Sequence, residues 1–165
     1  MFAASTSPSF ATDTQTTTAP DLTRSELIKL IAIAPEKGLN LRGVNLSGLD
    51  LNQLDLSNAK LAGANLSDAN LHNTVFSNAI LAHANLSGAN LTEALLDNAS
   101  LDFANLSNAN LHFAQFFHAG LTLSNLTGAN LADANLTDAN FTGATMPNGE
   151  QYTEGMDLEQ FRSNK

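Results

Sequence analysis

Residues 59–71 read AKLAGANLSDANL, and the three leucines Leu61, Leu66 and Leu71 stand five apart. Two places before each is an alanine: Ala59, Ala64 and Ala69. The beat continues in both directions. From Leu41 to Met146 every fifth residue is Leu, Phe or Met, twenty-two centres without an insertion or deletion. From Ala59 to Ala144 the residue two before each centre is Ala, except at Thr74 and Ser124. A period of five matches neither a strand, which repeats at two, nor a helix, which repeats at 3.6. A chain that turns every five residues does bury it. The centre (i) and the small residue (i−2) then point inward, and i−1, i+1 and i+2 face water. Of the twenty-two i+2 positions, 15 hold Gly, Asn or Asp, residues that accept the positive φ of tight turns.

The repeated A-N-L-x-x, as in Ala64-Asn65-Leu66-Ser67-Asp68 and Ala129-Asn130-Leu131-Ala132-Asp133, resembles the pentapeptide-repeat proteins, over residues 39–148. The resemblance implies an all-β solenoid, a right-handed quadrilateral (square) parallel β-helix with four pentapeptides per coil. Twenty-two repeats then make about five and a half coils. Stacked at the strand spacing of about 4.8 Å they form a rod roughly 25 Å long. One coil encloses almost no interior, so stability comes from the stacking of neighbours.

Segments outside the repeats are expected to close or flank the rod. Residues 1–21 are low-complexity, with nine Ser/Thr and no basic residue in the first twenty, and are expected to be disordered. Residues 22–38, LTRSELIKLIAIAPEKG, read as a capping helix and linker. Thr23 and Glu26 form a capping box, Leu22 and Leu27 a hydrophobic staple, and Pro35 ends the helix. Leu27, Ile28, Leu30, Ile31 and Ile33 supply its apolar face. Membrane association is the alternative for this face, but Arg24 and Lys29 give little attraction for anionic lipid. Residues 149–165 form an acidic tail in which a short helix near 157–163 is expected to cover the last half coil or to pair with a second subunit.

Composition narrows function. The chain of 165 residues has no cysteine, 14% charged residues and a net charge of −9. Nucleic acid and anionic membrane surfaces call for a basic protein and are not expected partners. No apolar run reaches membrane-spanning length. The N-terminus lacks the basic and apolar regions of a secretory signal. Cytoplasmic is the expected compartment, unless an export signal has been removed.

If a coil is twenty residues, positions twenty apart stack, and outward columns are legible. We number the faces from the centres Leu41, Leu46, Leu51 and Leu56. The i−1 column of the second face is Asn45, Asn65, Asn85, Asn105 and Asn125, and that of the third is Asp50, Asn70, Asn90, Asn110 and Asn130. Such amides hydrogen-bond along a ladder. The first and fourth faces break the pattern. Val75, Ile80 and Leu95 stand at i−1, Phe117 at i+1, and His83, Phe103, Phe113 and Leu123 at i+2. These eight form the candidate protein-binding patch, since contiguous exposed apolar residues mark contacts. Three occupants compete: the N-terminal segment through Phe2 and Phe10, a second copy of the chain in a homodimer, or a different protein. Phe116, by contrast, is a centre and belongs to the core.

No catalytic, cofactor-binding or metal-binding residue is expected, and no small-molecule substrate, because a convex rod offers no pocket of convergent groups. His72 and His112 share a column two coils apart, too far to bind one metal. His83 and His118 have no evident carboxylate partner. The expected function is a non-enzymatic module for protein–protein interaction or structure. Some members of the family that the repeats resemble are acidic mimics of DNA that bind gyrase, which is the alternative. The repeats carry eight acids against Arg42 and Lys60, but spread them over all four faces. Duplex phosphate presents one charge per about 1.7 Å.

Overall fold

The computed structural model describes residues 19–34 and 38–163. The five-residue beat becomes a repeating bridge and turn. Parallel bridges join residues twenty apart, from Asn40↔Lys60 through Asn65↔Asn85 to Asn125↔Thr145. Each side of a coil is therefore one pentapeptide, and four sides make a turn of the solenoid. One side shows the bonding. Leu66 N–H donates to Asn85 O (2.7 Å), Asp68 N–H to Ser87 O (2.9 Å), and Asn85 N–H to Ala64 O (2.9 Å). Ala69 N–H returns to Leu66 O at 3.2 Å and closes the corner. All the non-glycine residues of positive φ among the described residues are i+2 residues, from Gln53 to Asp138. The left-handed conformation turns the chain at each corner.

The interior is the predicted one. The centres are buried, with Phe76, Phe116 and Phe141 replacing Leu among the fully enclosed side chains. The i−2 alanines lie beside them. Two i−2 positions are polar. Thr74 is buried and its Oγ1 donates to Leu51 O at 2.9 Å. Ser124 is buried too, but its Oγ has no hydrogen-bond partner. An unpaired buried hydroxyl costs about 1–3 kcal/mol, so Ser124→Ala is expected to raise stability by about 1 kcal/mol. A urea midpoint that is unchanged or lower would contradict this account.

One expectation is refined. The i−1 residues do not stand free in water: most of those in the middle coils, Val75 and Leu95 included, are half-buried. They are the bridge residues, and at strand spacing the coils above and below cover their flanks.

At the N-terminal end, α1 (Arg24–Ile33) begins at the Thr23–Glu26 capping box. Leu22 and Leu27 are buried, and Leu30, Ile31 and Ala34 pack against the core. Ile28 and Ile33 remain exposed. Arg24 extends its guanidinium to two carbonyls of the first coil, Asp50 O (2.6 Å) and Asn52 O (3.0 Å). Asp21 N–H donates to Asn45 O, and its carboxylate accepts from Asn45 N–H. Pro35, Phe2 and Phe10 lie outside the described residues.

At the C-terminal end the chain reverses. Thr145 and Gln151 form an antiparallel bridge, Met146 N–H donates to Glu150 O, and Tyr152 N–H donates to Ala144 O. The helix expected near 157–163 is the four-residue α2 (Glu159–Arg162). Arg162 Nε donates to Ala134 O, and Asp133 N–H to Arg162 O. Tyr152, Met156, Leu158 and Phe161 pack against the core.

Candidate protein-binding surface

The second and third faces are knitted by amides. On the second, Nδ2 of Asn65, Asn85, Asn105 and Asn125 each donates to the Oδ1 of the residue one coil earlier, at 3.1–3.4 Å. Each Oδ1 also accepts the N–H two residues on, as in Ser67 to Asn65 at 3.1 Å. On the third face the ladder runs from Asp50 through Asn70 to Asn90. It breaks where Asn110 Nδ2 turns to Thr92 Oγ1, and resumes from Asn130 to Asn110. Thus these columns satisfy their polar groups internally.

The apolar residues are not joined into such ladders. Val75 and Leu95 bridge each other on the fourth face. Ile80 on the first face is exposed at 37%. The ring of His83 stacks on Phe103, with centroids 4.8 Å apart and planes 10° off parallel. Leu123 follows one coil on in the same corner column, so the ridge His83–Phe103–Leu123 runs along the rod between the first and second faces. Phe103 and Leu123 remain 50% and 53% exposed. Phe113 and Phe117 lie elsewhere. Phe113 ends the third face and packs on His112 (4.0 Å), whereas Phe117 lies on the fourth face against His118 (3.9 Å). The structure thus divides the eight residues: the corner ridge with neighbouring Ile80, and the fourth-face group of Val75, Leu95 and Phe117 with Phe113 at its edge.

The corner positions give these side chains their meaning. His83, Phe103, Phe113, His118 and Leu123 all have φ between 55° and 61°. A bulky residue in this region pays a steric penalty that Gly, Asn and Asp avoid.

The histidines bind backbone and carboxylate groups. Nδ1 of His72 donates to Thr92 O at 3.0 Å, and Nδ1 of His112 to Ala132 O at 2.9 Å. His118, expected to lack a carboxylate, faces Asp138 Oδ2 at 3.9 Å, because stacking at twenty brings the two corners together. His112 similarly lies 3.7 Å from Asp133 Oδ2. Among the described residues no group of three or more His, Cys, Asp or Glu is placed to hold a metal ion. No helix of the described residues is long and apolar enough to cross a membrane.

The twenty-residue coil with a turn every five residues is now matched by comparison with known proteins. The family described as pentapeptide repeats matches in eight copies, over residues 40–78, 84–122 and 119–148. The chain belongs to the pentapeptide-repeat family. Its members share the right-handed quadrilateral β-helix. No curated protein matches the chain in sequence. Among solved structures, it is similar to a pentapeptide repeat protein (Rfr23) of the cyanobacterium Cyanothece 51142, with 31% identity and a TM-score of 0.65. That match covers 69% of this chain and 91% of the other. HetL, a pentapeptide repeat protein involved in heterocyst differentiation regulation from the cyanobacterium Nostoc sp. strain PCC 7120, is 18% identical, covering 79% and 100% of the two chains, with a TM-score of 0.27. QnrB1, a plasmid-mediated fluoroquinolone resistance protein, is also 18% identical, covering 76% and 77%, with a TM-score of 0.43. This pentapeptide-repeat chain is accordingly a repeat module of β-helix architecture.

Proposed function

We propose that the chain is a non-enzymatic binding module: a right-handed square coil of about five and a half turns, lidded by α1, that holds a protein partner on its first and fourth faces. The observation that carries this reading is the placement of Phe103 and Leu123, half exposed, at left-handed corners. Asn, Asp or Gly would relieve the backbone and remove apolar surface from water. Retaining Phe and Leu there lowers stability unless a partner covers them.

The acids of the repeats do not favour imitation of duplex charge, because the eight are spread over all four faces, sparser than one charge per about 1.7 Å. Asp97 Oδ1 accepts Phe117 N–H at 3.1 Å and Asp102 Oδ1 accepts Thr122 N–H at 3.0 Å. The Asp55 carboxyl, held below its ordinary range by the Ser57 hydroxyl and N–H, serves its own turn.

The test is the double variant Phe103→Asn/Leu123→Asn. Its thermal stability is expected to equal or exceed that of the parent by up to about 1 kcal/mol, since Asn accepts positive φ. Affinity capture from the native host, read by quantitative mass spectrometry, is expected to lose a partner that the parent retains. Light scattering separates the alternatives. A parent dimer that the variant loses would replace the foreign partner by a second copy. A variant that is less stable and retains every partner would overturn the proposal.

A further inference from the structure

At its C-terminal end the solenoid is closed unevenly, and the gap lies on the first face. In the interior, each side gives the following coil three backbone bonds. Leu121 N–H donates to Asn140 O (2.8 Å), Leu123 N–H to Thr142 O (2.9 Å), and Asn140 N–H returns to Ala119 O (2.9 Å). The last coil has no following coil, and the C-terminal reversal covers its sides in part. The second face is paired by residues 150–152 through Ala144 O and Met146 N–H. Arg162 takes Ala134 O on the fourth face and Asp133 N–H on the third. On the first face all three groups, Ala139 O, Phe141 N–H and Gly143 N–H, are without a hydrogen-bond partner among the described residues.

This bare edge is shaped as a slot. A half-open cleft of about 410 Å³ lies over it, lined by residues 139–143, Tyr152 and Glu154. The Tyr152 ring is fixed against Phe141, with centroids 5.8 Å apart. Gly143 has φ +68°, and a Cβ there would stand 2.8 Å from Leu123 Cδ2.

We propose that this edge binds an extended, lysine-bearing segment of a partner protein by strand addition. The segment runs parallel to residues 139–143, as each preceding coil does. Two of its carbonyls, two residues apart, accept from Phe141 N–H and Gly143 N–H, and one N–H donates to Ala139 O. Main-chain bonds give such binding its affinity, and flanking side chains its selectivity. Charge sets the selectivity here. Glu154 lines the slot, and Asp138, Glu150 and Asp157 belong to the same end of the chain, where the one cation of α2, Arg162, is paired with Glu159. A basic segment complements them. A second copy would bring the same acids against themselves at this end, and at its other end it carries α1 across the first coil.

The probe is fluorescein-labelled Val-Lys-Val-Lys-Val, titrated by anisotropy into the full chain at low salt. Its controls are Val-Glu-Val-Glu-Val and a lysine peptide N-methylated at alternate residues, which keeps the charge but cannot complete the backbone pairing. Saturable binding is expected for the lysine peptide alone. Glu154→Lys is expected to weaken it about fivefold or more. Phe103→Asn, two coils away on the lateral ridge, is expected to leave it unchanged, so the slot and the lateral surface fail separately. By hydrogen exchange, Phe141 and Gly143 amides are expected to exchange fast in the free protein and slowly with the peptide. Equal binding of the N-methylated peptide, no protection of these two amides, or protection that follows protein concentration without peptide would each overturn the assignment.

Discussion

Leu86→Ala is expected to destabilise the folded chain by about 2–5 kcal/mol. Leu86 is completely buried and Ala84 lies beside it with 1% exposure. On every side the coils above and below already fill the tube with a centre and a small residue, so they have no spare residue to move into the cavity. The reverse change, Ala84→Leu, adds three carbons where the wall is backbone hydrogen-bonded on both sides, as in Asn85 N–H to Ala64 O and Leu86 N–H to Asn105 O. Overpacking of this kind costs about 1–3 kcal/mol or more, and here the loss is expected at the upper end. Urea denaturation checks both. A neutral result for either would mean that the second face is not a closed wall.

Arg24→Ala is expected to lower stability by about 1.5–3 kcal/mol, and to do so locally. Among the described residues Arg24 alone satisfies Asp50 O and Asn52 O, acceptors that in later coils are taken by the preceding coil. Its hydrogen bonds are charge-assisted, the stronger kind. In a solenoid each coil contacts only its neighbours, so the first coil is expected to fray while the middle coils persist. Amide exchange should therefore quicken at Leu46 and Leu51 and remain slow at Leu91 and Leu111. Uniform quickening would indicate a single cooperative unit instead. The helix carries a related pH dependence. Hydrogen bonds from the Thr23 backbone and hydroxyl hold the Glu26 carboxyl below its ordinary range. Folding is thus favoured above that range, and this contribution is lost as pH falls through the folded value.

Much of the fold was legible because one physical requirement repeats twenty-two times. The Leu–Ala pairing identified the inward positions, and the Gly, Asn and Asp bias at i+2 identified the corners. The capping box was equally local, since Thr23 and Glu26 meet within one helical turn. The ladders of Asn45 to Asn125 followed once the coil length was known. The candidate surface was only partly legible. Counting by fives and twenties placed Val75 beside Leu95 and Phe103 beside His83. It did not reveal that half the area of Phe103 and Leu123 stays exposed, nor that His118 faces Asp138. The C-terminal slot had no signal of its own, since Gly143 is an ordinary i+2 residue.

What the sequence by itself determined is whatever depends on separation along the chain: the turn every five residues, the inward and outward positions, and the helix start at Thr23. The tertiary structure decided what depends on chain ends and on which groups lack a neighbour. Arg24 reaches across 26 and 28 residues to its carbonyls, and Arg162 reaches back 28 to Ala134. No periodicity encodes those contacts, because a terminal coil is defined by the coil it does not have. Its unpaired backbone must find whatever polar group the flanking chain brings within reach, and only the folded geometry shows that on the first face of the last coil none of the described residues does.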